Sequence, residues 1–400
     1  MKNKFDFIII GAGIVGLSIA KDLNINYPNK KILIIEKEND VGFHSSGRNS
    51  GVLHAGFYYS ADSLKAKFTK SGNLDLKNYC RENNLKLNEC GKVVVVNDET
   101  QLPSLFKLEK RGKLNQVDVK LIDENELAKI EPNAKTHKYA LYSPSTATVD
   151  PLEIVQHLKK ELSDKGIVFS FNSAYFKKMD KNSILTSKGV FSASKIINAA
   201  GLYADKIAKD FGFSKNYIII PFKGIYLKYN LSDAPVRTNI YPVPDLKNPF
   251  LGVHYTITVD NTIKIGPTAI PAFWRENYSG FDNFKINESV EILFYEAILF
   301  FTNAFGFRDL AFDEIKKYRK SYLASLAKGL VNNITLKGFK EWSKPGIRAQ
   351  LLNINSLELV QDFVVEGDEN SIHILNAVSP AFTSCFPFAK WVNENYVCEK

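Results

Sequence analysis

Cysteine is scarce in this chain of 400 residues. There are four, Cys80, Cys90, Cys385 and Cys398, with no Cys-x-x-Cys pair and no histidine at metal-ligand spacing, so neither a zinc site nor a disulfide framework is expected. No run of about 18 uninterrupted apolar residues occurs, which excludes a simple helical membrane span. The opening Met1-Lys-Asn-Lys-Phe-Asp passes at once into Phe7-Ile-Ile-Ile-Gly-Ala-Gly, an apolar stretch too short for a signal peptide. A cytoplasmic protein is therefore expected. Repeats, low-complexity segments and long linkers are missing as well. What is present is 45% apolar and 24% charged, enough for a packed protein of roughly two domains. The net charge of +9 fits an anionic substrate, an anionic membrane surface or nucleic acid. No basic motif with interleaved aromatics stands out, so nucleic acid is set aside, and a peripheral seat at the inner face of a membrane stays open.

Phe7 to Ile10 reads as a short strand running into Gly11-Ala-Gly13-Ile-Val-Gly16, followed by Leu17 to Leu23 at helical spacing. This is G-x-G-x-x-G in the setting that gives it meaning. Gly11 permits a tight turn, Gly13 lets the backbone approach a pyrophosphate, and Gly16 allows close packing of helix on strand. The free N–H groups of the helix start then face the phosphates. A second strand, Lys31 to Ile35, ends at Glu36, placed to accept hydrogen bonds from an adenosine ribose. A dinucleotide site follows. Lys195-Ile-Ile-Asn-Ala-Ala-Gly201 reads as a strand reaching a small-residue turn, similar to the second nucleotide-contacting turn of glutathione-reductase-like FAD domains, and suggests FAD rather than NAD.

The segment His44-Ser-Ser-Gly-Arg-Asn-Ser-Gly-Val-Leu-His-Ala-Gly-Phe-Tyr-Tyr59 resembles the signature of the L-2-hydroxyglutarate oxidase and dehydrogenase family, within the D-amino-acid-oxidase-like flavoproteins. The likeness continues in order through Ser63-Leu-Lys-Ala66, Cys90-Gly-Lys92, Thr148-Val-Asp-Pro151, Asn198 to Asp205, Pro221-Phe-Lys-Gly224, Tyr241 to Asp245, Pro249 to Thr256, Gly346-Ile-Arg-Ala-Gln350 and Asn376 to Pro380. Lys223 departs from it, standing where arginine is common. So does Ser379 to Pro387, where the family has small residues; Pro387 belongs in the first turn of a helix capped by Ser384, or kinks it.

The expected fold is α/β: a glutathione-reductase-like, Rossmann-type FAD-binding domain with an inserted mixed-sheet α+β substrate domain. We expect residues 1–90, 146–220 and 340–400 in the first and 91–145 and 221–339 in the second. Lys92 to Asn97 reads as a buried strand. Asp150-Pro151 caps a helix whose face is Leu152, Val155, Leu158 and Leu162, ended by Gly166. Val168 to Phe171 is expected to return to the FAD sheet. Lys223 to Tyr229 reads as a strand, and Val253 to Ile265 as a hairpin turning at Asp260-Asn261. Ile292 to Phe301, apolar nearly all round, reads as a buried helix, ahead of a dimer contact or a membrane-seated face.

Oxidising a 2-hydroxy acid needs a base for the hydroxyl proton, a hydride acceptor and a cation for the carboxylate. Histidine suits the first, with an ordinary pKa near 6.5. The resemblance implies His54 as that base, an orienting group or a covalent flavin attachment point, with His254 second. Arg348, in a turn resembling the Gly-Leu-Arg of amino-acid oxidases, is expected to grip a carboxylate or the flavin. Lys223, Lys65, Arg48 and Arg275 are candidates for a distal carboxylate, and Tyr255 is a further substrate contact. Besides the glycines and Glu36, expected FAD contacts are Ile14, Lys37, Ser45, Ser46, Asn49, Ser50, Ala200, Gly201, Ser379, Pro380 and Ala381. The last three are expected to aim backbone N–H groups at the flavin edge and stabilise its reduced charge. L-2-hydroxyglutarate going to 2-oxoglutarate, with oxygen or a quinone as electron acceptor, is the leading reaction implied. An amine or amino-acid oxidase, a glycerol-3-phosphate dehydrogenase of the same fold, and a non-catalytic FAD scaffold are the alternatives.

Overall fold

Strand β1 (Lys4–Ile10) is apolar without alternation from Phe7 onward, because it is flanked by strands and covered on both faces. It pairs parallel with Gly189–Asn198 on one side and with β2 (Ile32–Ile35) on the other. The computed structural model describes residues 4–231, 235–244 and 252–397. Asp245, residues 249–251 and Cys398 of the motifs above lie outside them. The sheet runs Tyr175–Asp180, Ser183–Thr186, Gly189–Asn198, β1, β2, Val168–Ser170, and Ser371–Asn376 adds to it parallel to the end of Gly189–Asn198. Helix α1 (Ile14–Asn26) leaves β1 through the glycine turn and packs against Pro151–Asp164 and Cys385–Val392.

The helix after Asp150 starts as expected, with the aspartate side chain accepting from the N–H groups of Leu152 and Glu153 and Pro151 in the first position. Its inward face is Ile154, Val155, Leu158 and Leu162, however, while Leu152 is 40% exposed. Near the carboxyl end, Ser384 is the residue before Cys385–Val392 and Pro387 sits in the first turn, but the Ser384 hydroxyl caps nothing in that turn. It faces Thr69 Oγ1 instead, at 3.4 Å.

A second sheet has eight strands in the order Phe339–Trp342, Leu227–Tyr229, Ile263–Gly266, His254–Ile257, Asn239–Pro242, Lys92–Val95, Tyr139–Ser143, Lys120–Asp123. The expected hairpin is its His254–Ile257 and Ile263–Gly266 pair, with Asn261 in the left-handed region at φ 59°. The expected strand from Lys223 to Tyr229 is two strands, since the chain leaves Tyr217–Gly224, turns at Ile225-Tyr226 and enters a different sheet at Leu227. Tyr217–Gly224 joins Gly346–Asn353 in a third, four-stranded sheet, with Phe222 opposite Arg348.

The apolar helix is not buried all round. Ile286–Thr302 turns Ile292, Glu296 and Leu299 inward onto Tyr217–Gly224, and leaves Val290, Leu293, Phe294 and Phe301 exposed at 64, 46, 60 and 82%.

Arg275 is corrected here as well. Its guanidinium is fully buried, and it donates from Nη1 to Asp205 Oδ1 at 2.6 Å and Leu202 O at 2.5 Å, and from Nη2 to Asp205 Oδ2 at 2.9 Å. Asp205 also accepts from the Ile219 N–H at 3.0 Å, so the pair ties the Gly201–Tyr203 turn to the third sheet. A fork already closed on a carboxylate has nothing left for a substrate. Asp205→Ala strands a buried guanidinium and is expected to cost ~3–5 kcal/mol in urea unfolding. An unchanged unfolding midpoint would deny the pair its structural role.

Candidate active site

A cavity of about 780 Å³ opens where β1, α1 and the Gly189–Asn198 strand meet, and runs along the edge of the second sheet. Its inner end is the glycine turn. At Gly11, φ is 105° and a Cβ would lie 2.7 Å from Ala199 O; at Gly16 it would lie 2.1 Å from Gly11 O. The first glycine thus serves the turn and the third the helix-strand contact, and Gly16 does not itself line the cavity. Gly13 precedes α1 with no side-chain cap, and the first helical N–H, of Ile14, is met by Ser46 Oγ at 2.9 Å. Gly13, Ile14 and Ser46 all line the cavity, which gives the helix start an open approach for an anion.

Glu36 lines the cavity at the end of β2, where its carboxylate accepts from the N–H groups of Ala12 at 2.9 Å and Glu38 at 3.0 Å. It holds two loops in register while keeping acceptor capacity toward the cavity. Lys37, also on the wall, ion-pairs with Glu276 at 2.7 Å and with Glu38, and together these partners outweigh burial and raise its pKa. Glu38, Glu276 and His44 offer converging ligand atoms, but the Lys37 ammonium bridges both carboxylates, and no metal site is assigned to them. Ala200 and Gly201 line the cavity just past Asn198, whose side chain accepts from the Ala200 N–H and donates to Ala204 O.

The signature segment is pinned across the molecule. Ser45 Oγ donates to Ile347 O at 2.7 Å, Asn49 Nδ2 donates to the carbonyls of Ser45 and Ser46, and Ser50 Oγ accepts from the Val52 N–H at 3.3 Å. All of these residues border the cavity, as do Ser379, Pro380 and Ala381 beyond the Ser371–Asn376 strand. One expectation changes: the Ala381 N–H is already spent on Val378 O at 2.9 Å, and Pro380 has none to give.

His54, His254, Arg348 and Arg48 share the cavity wall. His54 is held through its backbone, its N–H donating to Thr383 Oγ1 at 3.1 Å and its carbonyl accepting from Asn73 Nδ2 at 3.2 Å. Its Nδ1 has no hydrogen-bond partner among the described residues, and burial drives its pKa well below 6.5, with Lys92 and His254 adding to the shift. His254 lies flat on Tyr241, with ring centres 3.6 Å apart, and its Nδ1 is 2.8 Å from Gly252 O. Burial lowers its pKa to about 3, the Gly252 carbonyl opposing. Both imidazoles are therefore neutral at physiological pH. Arg348 Nη1 donates to Thr268 O at 3.0 Å. Arg48 lies 4.3 Å over the Tyr278 ring and donates to Phe43 O at 2.6 Å.

Three expected substrate contacts stand elsewhere. Tyr255 is fully buried on the opposite face of the second sheet, in the core with Ile257 and Phe339, because a strand turns successive side chains to opposite faces and His254 takes the cavity side. Lys223 donates to Asn277 at 3.2 Å behind the wall. Lys65 lies 5.9 Å over the Tyr59 ring, with its N–H on Asp362, and does not reach the cavity.

The profile of a family described as "FAD dependent oxidoreductase" matches residues 6–394. The chain belongs to this family. It is 32% identical to an L-2-hydroxyglutarate dehydrogenase of Escherichia coli (strain K12), covering 96% of this chain and 91% of that one. It is 34% identical to a mitochondrial L-2-hydroxyglutarate dehydrogenase of Nematostella vectensis, covering 97% and 89%, and 32% identical to the Homo sapiens mitochondrial protein of that name, covering 96% and 86%. Among solved structures, its fold is similar to L-alpha-glycerophosphate oxidase from Mycoplasma pneumoniae with FAD bound (TM-score 0.76, 19% identity, 98% and 95% covered) and to glycine oxidase from Geobacillus kaustophilus (TM-score 0.71, 17%, 99% and 95%).

FAD is thus the dinucleotide of this flavoprotein, and the glycine turn, Glu36 and the Ala-Ala-Gly turn border the cavity as expected of its contacts. Sequence reasoning missed Tyr226, Thr383, Lys206 and Lys285 on the wall, and Lys92 behind it. Only Lys92 carries a local signal, a lysine opening a run of four valines. A valine at position 13 would press its Cβ to 3.1 Å from Ser46 Oγ and put two methyl groups in the phosphate approach. Gly13→Val is expected to fold and lose most of its bound FAD, read from the flavin-to-protein absorbance ratio; stoichiometric FAD would contradict the assigned pyrophosphate site.

Proposed function

We propose that this FAD dependent oxidoreductase oxidises L-2-hydroxyglutarate to 2-oxoglutarate. The observation that carries the reading is a pair of buried, neutral histidines sharing one cavity wall with Arg348, in a chain a third identical to L-2-hydroxyglutarate dehydrogenases over nearly its whole length. FAD, when bound, supplies the hydride acceptor, and oxygen or a quinone takes the electrons onward. Arg348 holds the substrate carboxylate by its planar fork. His54, whose side chain borders the cavity, accepts the hydroxyl proton as the C2 hydride departs. We assign residues 1–90, 146–220 and 340–400 to the FAD-binding domain, and 91–145 and 221–339 to the substrate domain.

Anaerobic addition of L-2-hydroxyglutarate is expected to bleach the flavin; bleaching by an amine, an amino acid or glycerol 3-phosphate alone would replace the substrate. In His54→Gln, bleaching is expected to slow about a hundredfold, the usual scale for loss of a general base. Because burial lowers the His54 pKa, the wild-type rate stays flat as pH falls to 6.5 and declines only below it; the mutant lacks that acidic limb. A mutant with wild-type rate and profile transfers the base role to His254.

We also propose that the protein rests on an anionic membrane through residues 285–320. No single helix there is long and apolar enough to cross a bilayer, but Ile286–Thr302 and the following helix bend by 105° at their junction. Exposed along this segment are Leu293, Phe294, Phe301, Phe312 and Ile315, with exposed Lys285, Arg308, Lys316, Arg319 and Lys320 against only Asp309 and Asp313. Apolar side chains among cations match a surface seat on acidic lipid. The holoprotein is expected to float with vesicles containing phosphatidylglycerol, and Phe294→Ser/Phe301→Ser to stay behind. Equal recovery of both proteins would end this proposal.

A further inference from the structure

Of the cations named for a distal carboxylate, Arg275 is closed on Asp205, Lys223 on Asn277, Lys65 lies outside the cavity, and Arg48, on the wall, stacks over Tyr278 and donates to Phe43 O. A different cation lies directly behind the wall. Lys92 opens the Lys92–Val95 strand, in the interior of the second sheet, and is 0% exposed. Its ammonium has no hydrogen-bond acceptor among the described residues. It sits 3.9 Å over the ring of Tyr241, with Tyr58 at 5.2 Å and Phe57 at 5.9 Å.

The geometry of Tyr241 matters more than the cage. His254 covers the same ring at 3.6 Å, and two groups this close to one ring centre cannot share a face. Lys92 and His254 therefore stand on opposite sides of Tyr241, with His254 and the ring edge on the cavity and Lys92 behind. The cation is held by the ring's face, and with water excluded its charge is weakly screened across the thickness of the ring. The neighbours facing Lys92 are Tyr241, Tyr58, Phe57, the Cys90 thiol, and the two neutral histidines His54 and His254. None is a carboxylate. Arg348 grips one end of a diacid, and the other guanidinium on this wall, Arg48, is turned onto the Tyr278 ring and Phe43 O.

We propose that Lys92 is the specificity-determining charge for the second carboxylate, acting through the Tyr241 ring to favour dianions over monoanions. The proposal rests on the diacid reading above and deepens it. An ammonium buried without an acceptor is costly, and no hydrogen-bond partner among the described residues offsets that cost. Burial lowers Lys92 to about 7, so the empty site holds it partly neutral and an arriving dianion draws a proton onto it.

The test uses unreactive ligands on the FAD-loaded protein, glutarate for the dianion and butyrate for the monoanion, with binding read from the perturbed flavin absorbance. In Lys92→Met, glutarate is expected to bind at least tenfold more weakly and butyrate within about twofold of wild type. Wild-type glutarate affinity is expected to fall between pH 7 and 9, and that slope to be flat in the mutant, which separates Lys92 from Lys65. Equal weakening of both ligands, or no weakening of glutarate, overturns the proposal. Should Lys92→Met fail to load FAD, the wild type alone decides: glutarate binding at pH 7.5 in weak buffer takes up protons if Lys92 responds, and absence of uptake overturns the assignment. A wild type that is bleached only by a monoacid refutes the substrate reading, while the glutarate-to-butyrate comparison still judges Lys92.

Discussion

Helix α1 starts from a glycine turn pressed against the Ala199–Gly201 turn, and that close approach governs the surrounding architecture. Gly11 cannot carry a Cβ because Ala199 O is 2.7 Å from where it would be, and Gly16 cannot because Gly11 O is nearer still. With β1, α1 and the Ala199–Gly201 turn locked at this spacing, the Gly189–Asn198 strand must lie next to β1, and the Ser371–Asn376 strand next to that. The Ser379–Ala381 loop then arrives beside the cavity as a consequence of strand order rather than of any contact of its own.

Electrostatically the site is a low-dielectric chamber with its bases discharged. Burial alone makes the imidazoles of His54 and His254 neutral, and Lys92 reinforces it by repelling a proton from both. Neutral imidazoles and the guanidinium groups of Arg348 and Arg48 thereby share one wall without mutual repulsion. The nearby carboxylates are engaged by the protein itself, Glu36 with backbone N–H groups and Glu276 and Glu38 with Lys37.

Features fixed by neighbours in the chain were legible from the sequence, and features fixed by neighbours in space were not. The glycine turn, Glu36, the Asp150-Pro151 helix start and the hairpin at Asn261 each follow from local rules that few tertiary contacts override. Arg275 reads as a free cation until the fold brings Asp205 to it from 70 residues away. Tyr255 is different, since the alternation of a strand excludes it once His254 is placed on the cavity side. The helix at Ile286–Thr302 shows a composition suited to burial but a position with only one covered face, which no periodicity reveals. Lys92 hid inside a run of valines, where a pattern reader counts the valines.

The cavity is assembled from segments spread between Ile10 and Thr383, with His54 positioned by the hydroxyl of Thr383 and Ser45 tied to Ile347. During synthesis on a ribosome the glycine turn and β2 emerge early, yet the Gly189–Asn198 and Ser371–Asn376 strands that flank and finish the sheet come far later. Until Gly189–Asn198 has emerged, about halfway along the chain, the parallel edge of β1 has no partner on one side, and the Ser371–Asn376 strand is added later still. The pocket is thus complete only when the Ser371–Asn376 strand and the loop to Thr383 are in place, and a chain stopped before residue 371 lacks that part of the cavity wall.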